Sequence, residues 1–236
     1  AAFALGTESI PKVQKIIGPG NQFVAEAKRQ LYGEVGIDSI AGPSELTVLA
    51  DSLSDPITIS WDLMAQAEHD EMASSILVST SQELINEVKS LIKKEVPLLS
   101  RSNIIQKSLR NRGVVILAED TEQAISLVNQ IAPEHVHIVT ENPLKDSRSI
   151  INAGLILSGK DSANALSDYV LGPSHILPTN GSSVFSSPLS VEDFIVHSSF
   201  INLGESSKLQ EYDELVKNTS ILARAEGLTA HAISAE

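Results

Sequence analysis

Six histidines and no cysteine set the chemistry open to this sequence. Without thiols there is no cysteine nucleophile, no thiolate metal ligand and no disulfide. An aldehyde oxidation here cannot run through a thiohemiacetal, and any metal must be held by His, Asp, Glu, Gln or Asn. In Gln66-Ala67-Glu68-His69, Gln66 and His69 are i,i+3 neighbours on a predicted helix, so their side chains converge on one face. Asp62, one turn earlier, makes that face polar. Such a face can present two metal ligands, or it can be an ordinary surface or capping stretch. Pro133-Glu134-His135 stands at the entrance to a predicted strand, where a carboxylate beside an imidazole offers two proton acceptors of different basicity. The plain alternative is a solvent-facing loop. Asp168 and His175, the latter just after the turn Gly172-Pro173-Ser174, add a second carboxylate and imidazole, with a cap or turn role as the competing reading. Glu226 and His231 lie near the end of the chain, where segments usually fray. His137 and His197 fall in strand-like or apolar stretches and are expected to be structural. Gln, His and Asp together make a borderline-hard donor set that suits zinc, which can anchor a substrate imidazole or amine while a separate cofactor takes a hydride.

The elements that must position these residues are regular from residue 45 onward. Strand-like segments at 46–50, 75–79, 113–118, 135–140 and 154–157 alternate with helical patterns at 56–69, 81–95, 102–110, 121–131 and 144–152. Asp55 and Pro56 are a predicted N-cap and first helical residue. Before this lies the turn Gly18-Pro19-Gly20-Asn21, with Asn21 placed to cap an amphipathic helix over 23–31. Strands spaced by helices predict an α/β fold: a Rossmann-like, mainly parallel sheet with flanking helices. One detail sits awkwardly with that fold. Open parallel sheets take ligands at the carboxyl ends of their strands, whereas Glu134 and His135 precede theirs. Residues 161–190 are rich in Ser, Gly, Pro and Asn and are expected to be a functional loop. A short strand over 199–203, a helix over roughly 206–225 and a tail from Gly227 complete a small C-terminal helical extension.

Composition narrows the function from another side. The chain has 236 residues, is 42% hydrophobic and 20% charged, and carries a net charge of −13. That is ordinary for a globular protein and argues against nucleic acid, whose phosphates require clustered Lys and Arg. No apolar run is long enough for a membrane span. The absence of cysteine fits a reducing compartment, and a cytoplasmic setting is expected, or a plastid in a plant.

Taken in order, several short motifs resemble histidinol dehydrogenase. They include Phe-Ala-Leu-Gly-Thr-Glu-Ser (3–9), Gly-Pro-Gly-Asn (18–21), Glu-Ala-Lys-Arg (26–29) and Ala-Gly-Pro-Ser-Glu (41–45). They continue with Gln-Ala-Glu-His (66–69), Pro-Glu-His (133–135), Ser-Asp-Tyr (167–169), Gly-Pro-Ser-His-Ile-Leu-Pro-Thr (172–179) and Leu-Thr-Ala-His (228–231). The resemblance implies a zinc- and NAD-dependent oxidation of L-histidinol to L-histidine through the aldehyde. It implies that Gln66, His69, Asp168 and His231 ligate Zn²⁺, with His231 crossing from the other chain of a domain-swapped homodimer. Ser44, His175 and Glu226 match substrate-contacting positions, beside the four ligands and His135, and Asn21 matches a residue that touches NAD. Glu134 and His135 match the catalytic pair. Family members are nearly twice as long, so residues 1–43 read as the tail end of an incomplete cofactor-binding domain. Residues 44–189 then read as the domain carrying zinc and catalytic residues, and 190–236 as the swapped extension. A zinc-dependent hydrolase and a truncated, non-catalytic paralogue binding zinc or histidinol are the alternatives.

Overall fold

Helices long enough to carry the chain back across a sheet separate the apolar segments, and parallel pairing follows from that spacing. The computed structural model describes residues 1–203 and 210–236, which form two units, Ala1–Phe194 and Ile195–Glu236. The first unit opens with α1 (Ala2–Leu5), β1 (Lys15–Ile16), α2 (Gln22–Leu31) and β2 (Gly36–Ile37), and β1 and β2 pair in parallel. Then β3 (Glu45–Ala50), α3 (Pro56–Glu68), β4 (Ser74–Ser79), α4 (Gln82–Glu95), α5 (Ser102–Arg112) and β5 (Gly113–Leu117) follow in turn. They are succeeded by α6 (Thr121–Ile131), β6 (His135–Ile138), α7 (Pro143–Ser147), β7 (Leu155–Ser158) and α8 (Asn164–Tyr169). The five longer strands make one wholly parallel sheet in the order β5-β4-β3-β6-β7. This is the Rossmann-like α/β arrangement that the sequence predicts.

The two-residue period of the strands sends their side chains to opposite faces. Leu46, Val48 and Leu77 pack with Ile59 and Leu63 of α3 and with Leu84, Ile85 and Val88 of α4. The alternate residues Leu49, Val78, Val136 and Ile138 pack with Ala124 and Val128 of α6 on the other face. Helix α3 also meets α5, through Met64, Ala67 and Ile105. Enclosed on several sides, it buries Asp62 and Gln66 along with its apolar residues, so the polar face read from the sequence lies inside the protein. The N-caps hold as expected. Asp55 accepts from the Ile57 and Thr58 amides with Pro56 at the first helical position, and Asn21 accepts from those of Phe23 and Val24.

Three local expectations are corrected. The helix expected over 144–152 is the shorter α7, because the Asn129 carboxamide captures the amides of Ile151 and Asn152 and holds that stretch outside the helical path. The strand expected over 199–203 is absent: those residues have no regular structure, and Phe200 and Ile201 are exposed, with no strand to pair with among the described residues of their unit. The tail is not frayed. Gly227, at φ 77, turns the chain from α9 (Gln210–Ala225) into α10 (Thr229–Ala235). Ala223 and Ala232 are buried there, and Ser220 and Arg224 donate to the Glu236 carboxylate. The first residues of the predicted C-terminal helix, from 206, lie outside the described residues. Among the described residues no helix is long and apolar enough to cross a membrane.

Candidate active site

A cleft of about 840 Å³ opens in the first unit at the amino ends of the sheet strands. Ser44 precedes β3, His69 and Asp70 lead into β4, Arg112 precedes β5, and Glu134 and His135 open β6. This is the end opposite to the one open parallel sheets usually use. It accounts for the position of the Glu-His pair, and it has an electrostatic consequence. The crossover helices run against the strands, so α3 and α5 direct their carboxyl ends here, and helix carboxyl ends favour cations. The other wall is the Gly20–Asn21 turn at the start of α2.

The Glu134–His135 pair is held by the backbone of the neighbouring strand. Glu134 Oε2 accepts from Ser44 Oγ at 2.9 Å and from the Glu45 amide at 2.8 Å. His135 Nδ1 donates to the Glu45 carbonyl at 3.1 Å and lies 3.6 Å from Glu134 Oε2. One peptide residue therefore grips both side chains. Because a carbonyl can only accept, Nδ1 carries the proton, and Nε2 is left as the basic nitrogen. Burial pushes His135 down, but the Glu134 carboxylate and the Glu45 carbonyl outweigh it and hold the imidazole above its ordinary value. Glu45 is itself raised, by burial and by the nearby Glu134 charge.

Across the cleft, His69 Nε2 lies 3.6 Å from Asp168 Oδ2. The Asp168 carboxylate raises the His69 imidazole. Burial would raise Asp168, but the contact with His69 and the nearby His135 and His175 rings bring it below the usual aspartate range. His175 lines the same cleft and donates from Nε2 to the Asp168 carbonyl. Gln66, one turn before His69, is set back from the cleft and 1% exposed, yet neither its Oε1 nor its Nε2 has a hydrogen-bond partner. An unsatisfied buried amide costs about 1–3 kcal/mol, so its carboxamide is suited to a further ligand. His69 and Asp168 face one another in the cleft with one N and one O donor, and Gln66 carries a further, unpartnered O donor one helical turn before His69. Among the described residues no group of three or more His, Cys, Asp or Glu side chains is placed to hold a metal. Glu226 and His231 lie in the second unit, exposed at the α9–α10 turn and in α10.

Sequence reasoning missed the residues that brace this site. Lys28, 5% exposed, donates to Asp38 Oδ1 at 2.5 Å and to the Gly18 carbonyl at 2.6 Å, while Asp38 Oδ2 accepts from the Gly18 amide at 2.7 Å. This clamp fixes the 18–21 turn. On the other side Thr179 Oγ1 accepts from the Gly42 amide, and the Asn180 amide donates to Glu45. Only the pairing of distant segments reveals these contacts.

The histidinol dehydrogenase family model matches residues 1–236. The chain is 52% identical over 234 residues to a histidinol dehydrogenase of Clostridium acetobutylicum, and 49% identical over 236 residues to one of Pseudomonas fluorescens. It belongs to the histidinol dehydrogenase family. These alignments cover 99% and 100% of this chain but 53% and 52% of the relatives, so the chain spans about half the length of the curated relatives it matches. The crystal structure of histidinol dehydrogenase from Elizabethkingia anophelis superposes with a TM-score of 0.89 at 32% identity, covering 99% of this chain and 53% of that one.

Gly154 shows how closely this histidinol dehydrogenase family chain is packed behind the catalytic candidates. Its amide donates to the Pro133 carbonyl, and a Cβ there would lie 2.6 Å from the Glu134 carbonyl oxygen. Backbone cannot yield as a flexible side chain can. Gly154→Ala is expected to destabilise by about 1–3 kcal/mol, as overpacking does, and to lower activity beyond that loss. Thermal midpoint and turnover measured on one preparation check both.

Proposed function

We propose that this chain carries the zinc-binding and catalytic part of a histidinol dehydrogenase, oxidising L-histidinol to L-histidine with NAD. The observation that supports this most directly is the Glu134–His135 pair, gripped by residue 45 and sharing one cleft with His69, Asp168 and His175. Gln66, His69 and Asp168, with His231 from a second copy in a domain-swapped dimer, would hold Zn²⁺. The orphaned Gln66 carboxamide fits that assignment. Zinc supplies a cationic anchor for the imidazole and amine of histidinol, and NAD supplies the hydride acceptor.

Within the chain, His135 takes the proton of the substrate hydroxyl at Nε2 as the alcohol becomes an aldehyde. Glu134, fixed by Ser44 and Glu45, then takes a proton from the water that hydrates the aldehyde, so that the gem-diol can be oxidised without a cysteine. Ser44, His175 and Glu226 are assigned to contact substrate. Asn21 spends its carboxamide oxygen on capping α2, so a contact to NAD falls to its Nδ2. Residues 1–43 are assigned to the end of a cofactor-binding domain, 44–189 to the zinc and catalytic domain, and 190–236 to the swapped extension.

The test is direct. Purified protein mixed with L-histidinol and NAD should generate NADH, with two equivalents formed per histidinol as the acid is reached. A strong chelator should abolish turnover and added Zn²⁺ should restore it. Zinc uptake without any NAD reduction would instead favour a binding module, a reading kept open by the chain's spanning about half of its relatives.

A further inference from the structure

One of the two histidines expected to be structural, His137, occupies a junction. His137 is fully buried on β6, two residues beyond His135 and so on the same face of the strand. Its Nδ1 lies 2.5 Å from Asp62 Oδ2 on α3, one turn before Gln66. Its Nε2 donates at 2.9 Å to the carbonyl of Gly159, a left-handed residue (φ 95) in the turn that leads from β7 to α8 and Asp168. A single imidazole thus links the strand of Glu134 and His135, the helix of Gln66 and His69, and the turn before Asp168.

We propose that the Asp62–His137–Gly159 chain is a positioning unit, fixing the proposed metal-ligand residues at a set distance from the catalytic pair. Burial alone does not account for a carboxylate and an imidazole in this place. A well-packed apolar pair of similar volume is commonly as stable or more stable than a buried polar one, and Leu63 and Val48 lie in the same core. What an apolar pair lacks is direction. Two hydrogen bonds from opposite corners of a rigid ring fix both the axial offset of α3 and the height of the 159 turn. Apolar contacts allow either element to slide. Partners that orient ligands from behind typically change metal affinity about 10–100-fold when removed.

This inference rests on the zinc reading above, and the two can be separated. Each His137 variant cuts one link. His137→Gln keeps a donor toward Gly159 and loses Asp62, whereas His137→Asn keeps a donor toward Asp62 and loses Gly159. Asp62→Asn retains a neutral hydrogen bond to the ring. The readouts are Zn²⁺ affinity of the metal-free protein, by competition with a chelating indicator, and the visible spectrum of the Co²⁺-loaded protein. Both His137 variants should bind Zn²⁺ about tenfold or more weakly and shift the Co²⁺ bands, while Asp62→Asn recovers most of the affinity. Ile85→Val, a core change on α4 within the cluster that holds Leu63 and Val48, should lower the thermal midpoint without moving either readout. Wild-type affinity and an unchanged spectrum in folded His137 variants would overturn the proposal. If either fails to fold, Asp62→Ala breaks the helix link from the other side and gives the same two outcomes. Should the wild-type protein itself take up no Zn²⁺, the zinc assignment falls and the positioning role with it. That failure appears in the parent protein, the other only in the variants.

Discussion

Replacing His135 with Asn, or Glu134 with Gln, is expected to lower NAD-linked oxidation of L-histidinol by about 10²–10⁴-fold, the usual contribution of a positioned general base. The fold should survive both changes. Glu134→Gln keeps an oxygen for the Ser44 hydroxyl and the Glu45 amide, and His135→Asn keeps a donor toward the Glu45 carbonyl. The two should differ by step. Glu134→Gln is expected to weigh more on oxidation of supplied aldehyde, His135→Asn on oxidation of the alcohol. Glu134→Gln carries a further signature, because the Glu134 carboxylate holds His135 above its ordinary value. A base works only when unprotonated, so the rate falls as pH drops through the His135 value. Losing the carboxylate lowers that value, and the acid limb of the pH–rate profile should move to lower pH. A limb that stays in place would remove His135 from the role of base.

The second large effect concerns stability. Lys28→Met leaves the Asp38 carboxylate buried without its cation, and removing one member of a buried ion pair costs about 3–5 kcal/mol. Both side chains are at most 4% exposed, so solvent screens the pair little. Lys28→Met/Asp38→Asn removes both charges and should recover a substantial part of the loss, a coupling that a double-mutant cycle in urea measures. The pH dependence has a definite sign. Burial would raise Asp38, but Lys28 and the Gly18 and Ser39 amides outweigh it and bring the carboxyl below its usual range. A group depressed in the folded state stabilises above its unfolded value, and that contribution is lost as pH falls through the folded one. The gap between wild type and Asp38→Asn should therefore be constant from neutral pH down to about pH 4 and narrow below it.

Much of this fold is legible in the sequence because its signals are local. Asp55 and Asn21 announce their helices through side chains that reach no further than the next turn, and the short apolar runs of β3 and β4, buried on both faces of the sheet, need no distant information. The helix expected over 144–152 fails for the opposite reason: its end is set by Asn129, over twenty residues earlier. The site divides in the same way. Residue type and family resemblance pick out Asn21, Ser44, His69, Glu134, His135, Asp168 and His175, and all seven line one cleft. They pick out Gln66 as well, but its burial and its orphaned carboxamide follow from how α3 is enclosed, which no spacing rule conveys. Asp62 reads as part of a polar face and instead pairs with a histidine 75 positions away. Lys28 and Asp38, ordinary charges in a polar stretch, acquire a role only when the turn at Gly18 closes between them.

Residue 45 grips Glu134 and His135 through its own N–H and C=O, groups that every amino acid except proline possesses in full. No ordinary side-chain replacement there can release Glu134 or His135 directly, whereas separating β3 from β6 by a single opening event frees both together. Deuterium uptake at the Glu45 amide would then report on that opening. Its protection should vanish in the same unfolding step that extinguishes activity, with no intermediate in which one partner of the pair still works.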